Sequence, residues 1–181
     1  MTTALLVIDV QNEYVTGGLP IAYPPVTDSL ARIASAIDAA NNAGLPVVLV
    51  RHAEADPDST VFVKGTDGWQ LHHVVGARPC TAVVDKNLPG AFTGTNLADV
   101  LAEYDVDSVV IVGYMTHMCV DTTSRQANHA AIDVTVLSDA TGTINISDDL
   151  PAELVHRVEL GVLADGFASV ATTDEWLATL R

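Results

Sequence analysis

The sequence predicts an α/β protein, a three-layer α/β/α sandwich on a six-stranded, mostly parallel, doubly wound sheet. Three observations predict it. Short apolar, β-branched runs alternate along the chain with segments of helical hydrophobic spacing, which is the pattern of βαβ units. The runs are apolar at consecutive rather than alternate positions, as expected of strands covered on both faces. The chain has 181 residues, 49% of them hydrophobic, which suits one domain over residues 1–181 with a large core.

Residues 4–10, Ala4-Leu5-Leu6-Val7-Ile8-Asp9-Val10, form the first expected strand, with a charge near its end. Over 28–43 the apolar residues Leu30, Ile33, Ala34, Ile37 and Ala40 recur at helical spacing, and Gly44 with Pro46 supplies a stop. Residues 46–50 are the second strand. From 54 to 78 the chain holds Asp56-Pro57-Asp58, Gly65, Gly68 and Gly76, which predicts a long irregular excursion with one short helix around Leu71. Excursions of that length inside a domain are often functional. The third strand is 81–86, followed by a helix over 96–104 with Thr93 or Thr95 as its N-cap. Residues 108–112 make strand four, 120–132 a helix and 134–137 strand five. A helix over 151–163 has Pro151 in its first turn, and 168–171 is strand six.

Charge and composition exclude whole classes of function. A net charge of −15 and a pI of 4.4 repel phosphate backbones and anionic lipid surfaces, so neither nucleic acid nor a membrane is an expected partner. No apolar run approaches the roughly 18–20 residues that cross a bilayer. Met1-Thr2-Thr3-Ala4-Leu5 lacks the basic start of a signal peptide, so a cytoplasmic location is expected. Two cysteines, Cys80 and Cys119, do not make a disulfide framework, and Cys80, just before strand three, reads as structural.

In open parallel sheets ligands bind beyond the carboxyl ends of the strands. Three polar residues stand there: Asp9 on strand one, Lys86 closing strand three, and Cys119 between strand four and the next helix. Singly, each has a plain explanation: Asp9 as a turn cap, Lys86 as a strand-end charge reaching solvent, Cys119 as a small buried hydrophobe. Together they suggest chemistry. A thiol at a helix start meets backbone N–H groups and the positive dipole end, which favour the thiolate, and Lys86 nearby would lower its pKa further.

The segments Val7-Ile8-Asp9-Val10-Gln11-Asn12, Asp85-Lys86 and Val112-Gly113-Tyr114-Met115-Thr116-His117-Met118-Cys119-Val120-Asp121 carry a resemblance. In this order they resemble the isochorismatase-like cysteine hydrolase superfamily, which includes nicotinamidases, carbamoylsarcosine amidohydrolases and streptothricin hydrolases. The resemblance implies that Cys119 is the nucleophile, Asp9 the proton-transferring carboxylate and Lys86 the third member of a catalytic triad. It implies a cis peptide at Tyr114–Met115. It also implies an oxyanion hole from the backbone N–H groups of Met115 and Cys119, where each donor contributes about 2.7–4 kcal/mol in comparable hydrolases. The implied reaction is hydrolysis of a C–N bond, an amide or lactam, in a small molecule. Asp9 takes the thiol proton, Cys119 attacks the carbonyl carbon, Asp9 protonates the leaving amine, and water hydrolyses the thioester. A homodimer or larger homo-oligomer is implied as well.

Gln11, Trp69, Phe92 and Thr116 are the expected substrate-binding residues, with Tyr14 and Tyr23 as further pocket walls, because small-ligand sites are mostly apolar with a few polar groups. Nicotinamidases of this superfamily hold a metal on an Asp-x-His pattern after strand two, where this chain reads Val50-Arg51-His52-Ala53-Glu54. His52 and Glu54 alone leave the ligand set incomplete, so no metal and no other cofactor is expected. His72-His73 read as a solvated pair on a short helix, and His117 as either a substrate contact or a surface residue. Two other readings stay open. One is isochorismatase-type vinyl-ether hydrolysis, which needs Asp9 and Lys86 but no thiol; the other is a non-catalytic binding module. Asp9-Val10-Gln11-Asn12-Glu13-Tyr14 lacks the Gly-x-Gly-x-x-Gly of a dinucleotide site, which weakens the second.

Overall fold

The computed structural model describes residues 2–180. β1 (Thr3–Ile8) pairs in parallel on both sides, with β2 (Val47–His52) and with β4 (Ser108–Tyr114). β3 (Ala82–Lys86) lies outside β2, while β5 (Asp133–Gly142) and β6 (Ser169–Ala171) lie beyond β4. The order is β3-β2-β1-β4-β5-β6 with every pairing parallel, the doubly wound α/β sheet that the alternating pattern predicts. The winding reverses between β1 and β4, and the crevice at the carboxyl ends there is where such sheets bind ligands.

Because strand side chains alternate, the sheet sorts its apolar residues into two cores. Leu5, Val7, Val47, Leu49, Val110 and Val112 meet Ile33 and Ile37 of α1 (Val26–Asn42) and Trp176 of α6 (Thr173–Thr179). Leu6, Ile8, Val48, Val50 and Ile111 meet Leu97 and Leu101 of α3 (Leu97–Glu103), Ala127 of α4 (Asp121–His129) and Leu160 and Leu163 of α5 (Ala152–Gly166). Each fully buried aliphatic side chain here contributes about 1.5–3 kcal/mol. Strands covered on both faces explain why their sequences are apolar at consecutive positions.

Several boundaries differ from expectation, each for a local reason. β1 stops at Ile8, because Asp9 takes a left-handed backbone conformation (φ 50°) that ends the strand. The short helix expected around Leu71 is α2 (His73–Gly76), starting two residues later, and Leu71 itself bridges Gln11. A second short helix, a 3-10 turn at Asn12–Tyr14, lies outside the expected elements. Thr95 Oγ1 accepts the Leu97 N–H, while Thr93 Oγ1 accepts Gln126 Nε2 and caps nothing. Pro151 sits at the N-cap of α5, one residue earlier than its expected place. β5 runs on to Gly142 through an irregularity opposite Ile111 and Gly113. α6 was not expected; its capping box, Thr172 with Glu175, is legible in the sequence. Cys80 is exposed, so it is not the buried structural thiol its position suggests. No described helix is long and apolar enough to cross a membrane.

Candidate active site

Three strand ends converge on one point. Asp9 follows β1, and its N–H continues the ladder by donating to Val50 O (3.0 Å). Lys86 is the last residue of β3, in register with His52 on β2. Cys119 lies within a π turn, Thr116–Val120, that joins β4 to α4. The Tyr114–Met115 peptide just before it is cis. At Gly113 the left-handed backbone (φ 111°) brings β4 so close to β1 that an added Cβ would collide with the Ile8 carbonyl. Only glycine fits there.

Lys86 Nζ stands between the other two groups, 2.8 Å from Asp9 Oδ2 and 3.3 Å from Cys119 Sγ. The side chains of Asp9 and Lys86 are fully buried, and Cys119 is 6% exposed. The ammonium also donates to Leu88 O (3.1 Å) and lies 3.4 Å from His52 Nδ1. Its 2.8 Å contact with Asp9 Oδ2 is an ion pair buried on both sides.

The electrostatics correct one expectation. Burial, reinforced by the Asp9 charge, pushes the Cys119 thiol well above the ordinary cysteine range, and Lys86 only partly opposes this. The helix-start and lysine effects do not produce a resting thiolate. Burial lowers the Lys86 pKa, but the Asp9 charge and the contacts with Asp9 and Cys119 outweigh it and hold the ammonium above its usual value. The resting cluster is therefore a neutral thiol beside an Asp–Lys ion pair, a set with no net buried charge.

Around this centre the expected binding residues divide. Gln11 is fully buried; its Nε2 donates to His52 O (2.9 Å) and Trp69 O (2.8 Å), and its Oε1 accepts the His52 N–H (2.8 Å). Its amide thus ties β1 to β2 and to the excursion. Thr116 is fully buried too, and its hydroxyl meets His156 Nδ1 (2.9 Å) while His156 Nε2 donates to Ser138 O (3.1 Å). Trp69 is nearly buried, with the Arg51 guanidinium 3.7 Å above its ring and its Nε1 unpaired. Phe92 is half-buried against the second core. Tyr14 is buried edge-on to Phe62 and Tyr114, and burial together with the Cys119 and Asp9 charges raises its pKa. Tyr23 turns instead toward His156. His117 is half-buried with its Nδ1 on Thr143 Oγ1. His72 is 8% exposed and accepts the Val74 N–H, so only His73 of that pair is solvated.

Two features escape sequence reasoning. His52 touches Lys86 because β2 and β3 are in parallel register, which a single sequence does not reveal. His156, buried on α5, holds the π turn through Thr116, and its only sequence signal is a histidine on the apolar side of a helix. A cleft of about 510 Å³ lies elsewhere, at the amino ends of β4, β5 and β6 around Ser108, Asp133 and Ser169. It lies at the opposite ends of the strands from Asp9, Lys86 and Cys119, which meet beyond the carboxyl ends. Among the described residues no three His, Cys, Asp or Glu side chains are grouped so as to hold a metal ion.

Comparison with known proteins agrees with this geometry. Residues 3–175 match the isochorismatase domain model. The uncharacterized isochorismatase family protein YddQ of Bacillus subtilis is 35% identical over 98% of this chain and 99% of its own length. Nicotinamidase 3 of Arabidopsis thaliana is 30% identical over 95% of this chain and 85% of its own. The crystal structure of a protein from Burkholderia xenovorans described as an isochorismatase superposes with a TM-score of 0.94 at 49% identity, covering 98% of this chain and 86% of that one. The six-stranded parallel sheet, the strand-end residues and these matches together establish that the chain belongs to the isochorismatase family of hydrolases.

Proposed function

We propose that the protein is a cysteine hydrolase that cleaves a C–N bond, an amide or lactam, in a small molecule through a triad of Cys119, Asp9 and Lys86 and a thioester intermediate. One observation carries this reading: the Lys86 ammonium contacts both Cys119 Sγ (3.3 Å) and Asp9 Oδ2 (2.8 Å) in a site closed to bulk water. The thiol is neutral at rest, so its proton leaves as sulfur attacks. Asp9 takes that proton and passes it to the departing nitrogen. The same carboxylate then draws a proton from the water that opens the thioester. Lys86 pairs with the Asp9 carboxylate and counters charge growing on sulfur. No step calls on a cofactor.

The oxyanion formed at the carbonyl carbon needs donors. The Met115 N–H makes none of the backbone hydrogen bonds that lie outside the regular helices and strands, which supports assigning it, with the Cys119 N–H, to the oxyanion hole. Trp69 and Phe92 are the apolar walls we assign. The relative named a nicotinamidase supports an amide as the scissile group. Cytoplasmic location is our assignment too, supported by two cysteines that remain free thiols.

The test is turnover of a panel of lactams, nicotinamide, ureido compounds and isochorismate by the wild type, Cys119→Ala and Cys119→Ser. Both variants should lose amide hydrolysis while their unfolding transitions stay near that of the wild type. Amide turnover retained by Cys119→Ala overturns the nucleophile. Isochorismate turnover that survives Cys119→Ala, with no amide turned over by the wild type, points to vinyl-ether chemistry instead.

A further inference from the structure

A carboxylate that leaves water for a protein site needs a cation there to offset its lost hydration. The sequence holds eight lysines and arginines, of which Arg181 lies outside the described residues. Arg32, Arg51, Arg78 and Arg125 each hold one or two acids in ion pairs of 2.7–3.6 Å. Arg51, which lies 3.7 Å above the Trp69 ring, turns its Nε and Nη2 on the two carboxylate oxygens of Asp85 (2.7 and 3.1 Å). Lys64 and Arg157 are exposed. Lys86 is fully buried, and its Nζ is already met by Asp9 Oδ2 (2.8 Å), Leu88 O (3.1 Å), Cys119 Sγ (3.3 Å) and His52 Nδ1 (3.4 Å). The side chains around the centre feel the same imbalance. Burial and then Asp9 raise the Cys119 pKa against Lys86. Burial and Lys86 lower that of His52 against Asp9 and Glu54. Burial, then the charges of Cys119, Asp9 and Glu13, raise that of Tyr14. One cation and three carboxylates thus act on these three side chains. Asp9 balances Lys86, which leaves Glu13 and Glu54 in excess. Glu54 Oε2 stands 3.7 Å from His52 Nε2 with its side chain 37% exposed, while Glu13 is buried and accepts the Gly18 N–H.

We propose that the site takes an uncharged or cationic amide and rejects amides that carry a carboxylate. This deepens the reading of Cys119 as the nucleophile of a C–N hydrolase and rests on it. An anion beside Cys119 is set against Glu13 and Glu54 in a site largely sealed from water, and among the described residues no uncommitted cation acts there. A neutral amide meets no such cost. An ammonium on the substrate gains from Glu54, the carboxylate with access to solvent. The net charge of −15 acts in the same direction at long range, and salt at 0.1 M screens that part beyond about 10 Å.

The experiment measures alkylation of Cys119, in Cys80→Ala, by three small reagents that differ in charge: iodoacetamide, iodoacetate and 2-bromoethylamine. Each rate is divided by the same reagent's rate at Cys80, measured in Cys119→Ala. Cys80 is exposed, so this ratio removes both the reagent's own reactivity and the long-range field. On that scale iodoacetate should fall about tenfold behind iodoacetamide, and 2-bromoethylamine should match or exceed it. Glu54→Lys should recover about threefold of the iodoacetate deficit. Equal ratios for iodoacetate and iodoacetamide overturn the proposal. A deficit that Glu54→Lys leaves unchanged overturns it too, because the local carboxylates are then not its source. Turnover supplies an independent measurement: in the amide panel each neutral amide should outpace its carboxylate-bearing analogue. A carboxylate-bearing amide as the best substrate overturns the proposal even where Cys119 resists all three reagents. Amide turnover retained by Cys119→Ala removes the nucleophile reading instead, and the charge ratios at Cys119 are read separately from it.

Discussion

Lys86 is the residue on which the buried centre depends. Among the described residues its ammonium is the one cation paired with the fully buried carboxylate of Asp9, so Lys86→Met leaves a charge stranded in the core. Loss of one partner from such a pair costs about 3–5 kcal/mol. Denaturant unfolding should show a loss of that size for Lys86→Met and a much smaller one for Asp9→Asn with Lys86→Met together. Equal losses in the single and double variants would show that the pair is not coupled. Asp9, Lys86 and Cys119 were legible in the sequence because strand ends are local features and parallel sheets bind ligands at one end. The protonation state of Cys119 was not, since the carboxylate that raises its pKa lies 110 positions away and the ammonium that opposes it 33. The partners of Gln11 and Thr116 were not legible for the same reason: His52, Trp69 and His156 come to them from distant parts of the chain.

At the scale of elements, the approach of β4 to β1 and the anchoring of the π turn hold Cys119 in place. Gly113→Ala places a methyl against the Ile8 carbonyl in a left-handed backbone conformation. It should lower stability by about 2–3 kcal/mol and slow Cys119 alkylation, because the strand must retreat and the turn follows it. A stable variant with wild-type alkylation would show that β4 tolerates the shift. The turn's other anchor is His156, whose pKa burial lowers while its bond to Ser138 O opposes. Below about pH 6.5 the unfolded chain binds a proton there that the folded chain refuses, so stability falls as pH drops and levels off below the folded pKa. Above that pH the residue contributes no slope. His52, His72 and His117 are shifted the same way and add to the effect. Urea unfolding between pH 7.5 and 5.5 should show a shallower loss in His156→Gln than in the wild type, by at most about 1.4 kcal/mol per pH unit. The major strands and helices were legible from periodicity, whereas the short helices of the excursion answer to tertiary contacts such as the Gln11–Leu71 bridge.

For the molecule as a whole, the strand order decides where chemistry can happen. The winding reverses between β1 and β4, β2 and β3 lie on one side, and the triad we propose draws one residue each from just after β1, the end of β3 and the turn after β4. Alternating strands and helices made this sheet legible, but not its register, which is what sets His52 beside Lys86. The outer face of α5 presents Leu154, Val158 and Val162, with Leu150 just before it, all more than 40% exposed and spaced four residues apart. A two-fold axis through such a helix covers the stripe with its own copy, and this is the surface on which we expect self-association. Sedimentation should show an assembly in the wild type and a monomer in Val158→Glu; an unchanged mass in the variant would move the interface elsewhere.

The central claim is that the Cys119 thiol forms a covalent bond to the carbonyl carbon of a C–N substrate. Rapid-quench intact-mass spectrometry during turnover of an amide substrate tests it most directly. The predicted result is a transient acyl adduct that maps to Cys119, decays as product forms and is absent from Cys119→Ala. Turnover at the full rate with no adduct, in protein whose Cys119 is already alkylated, would contradict it.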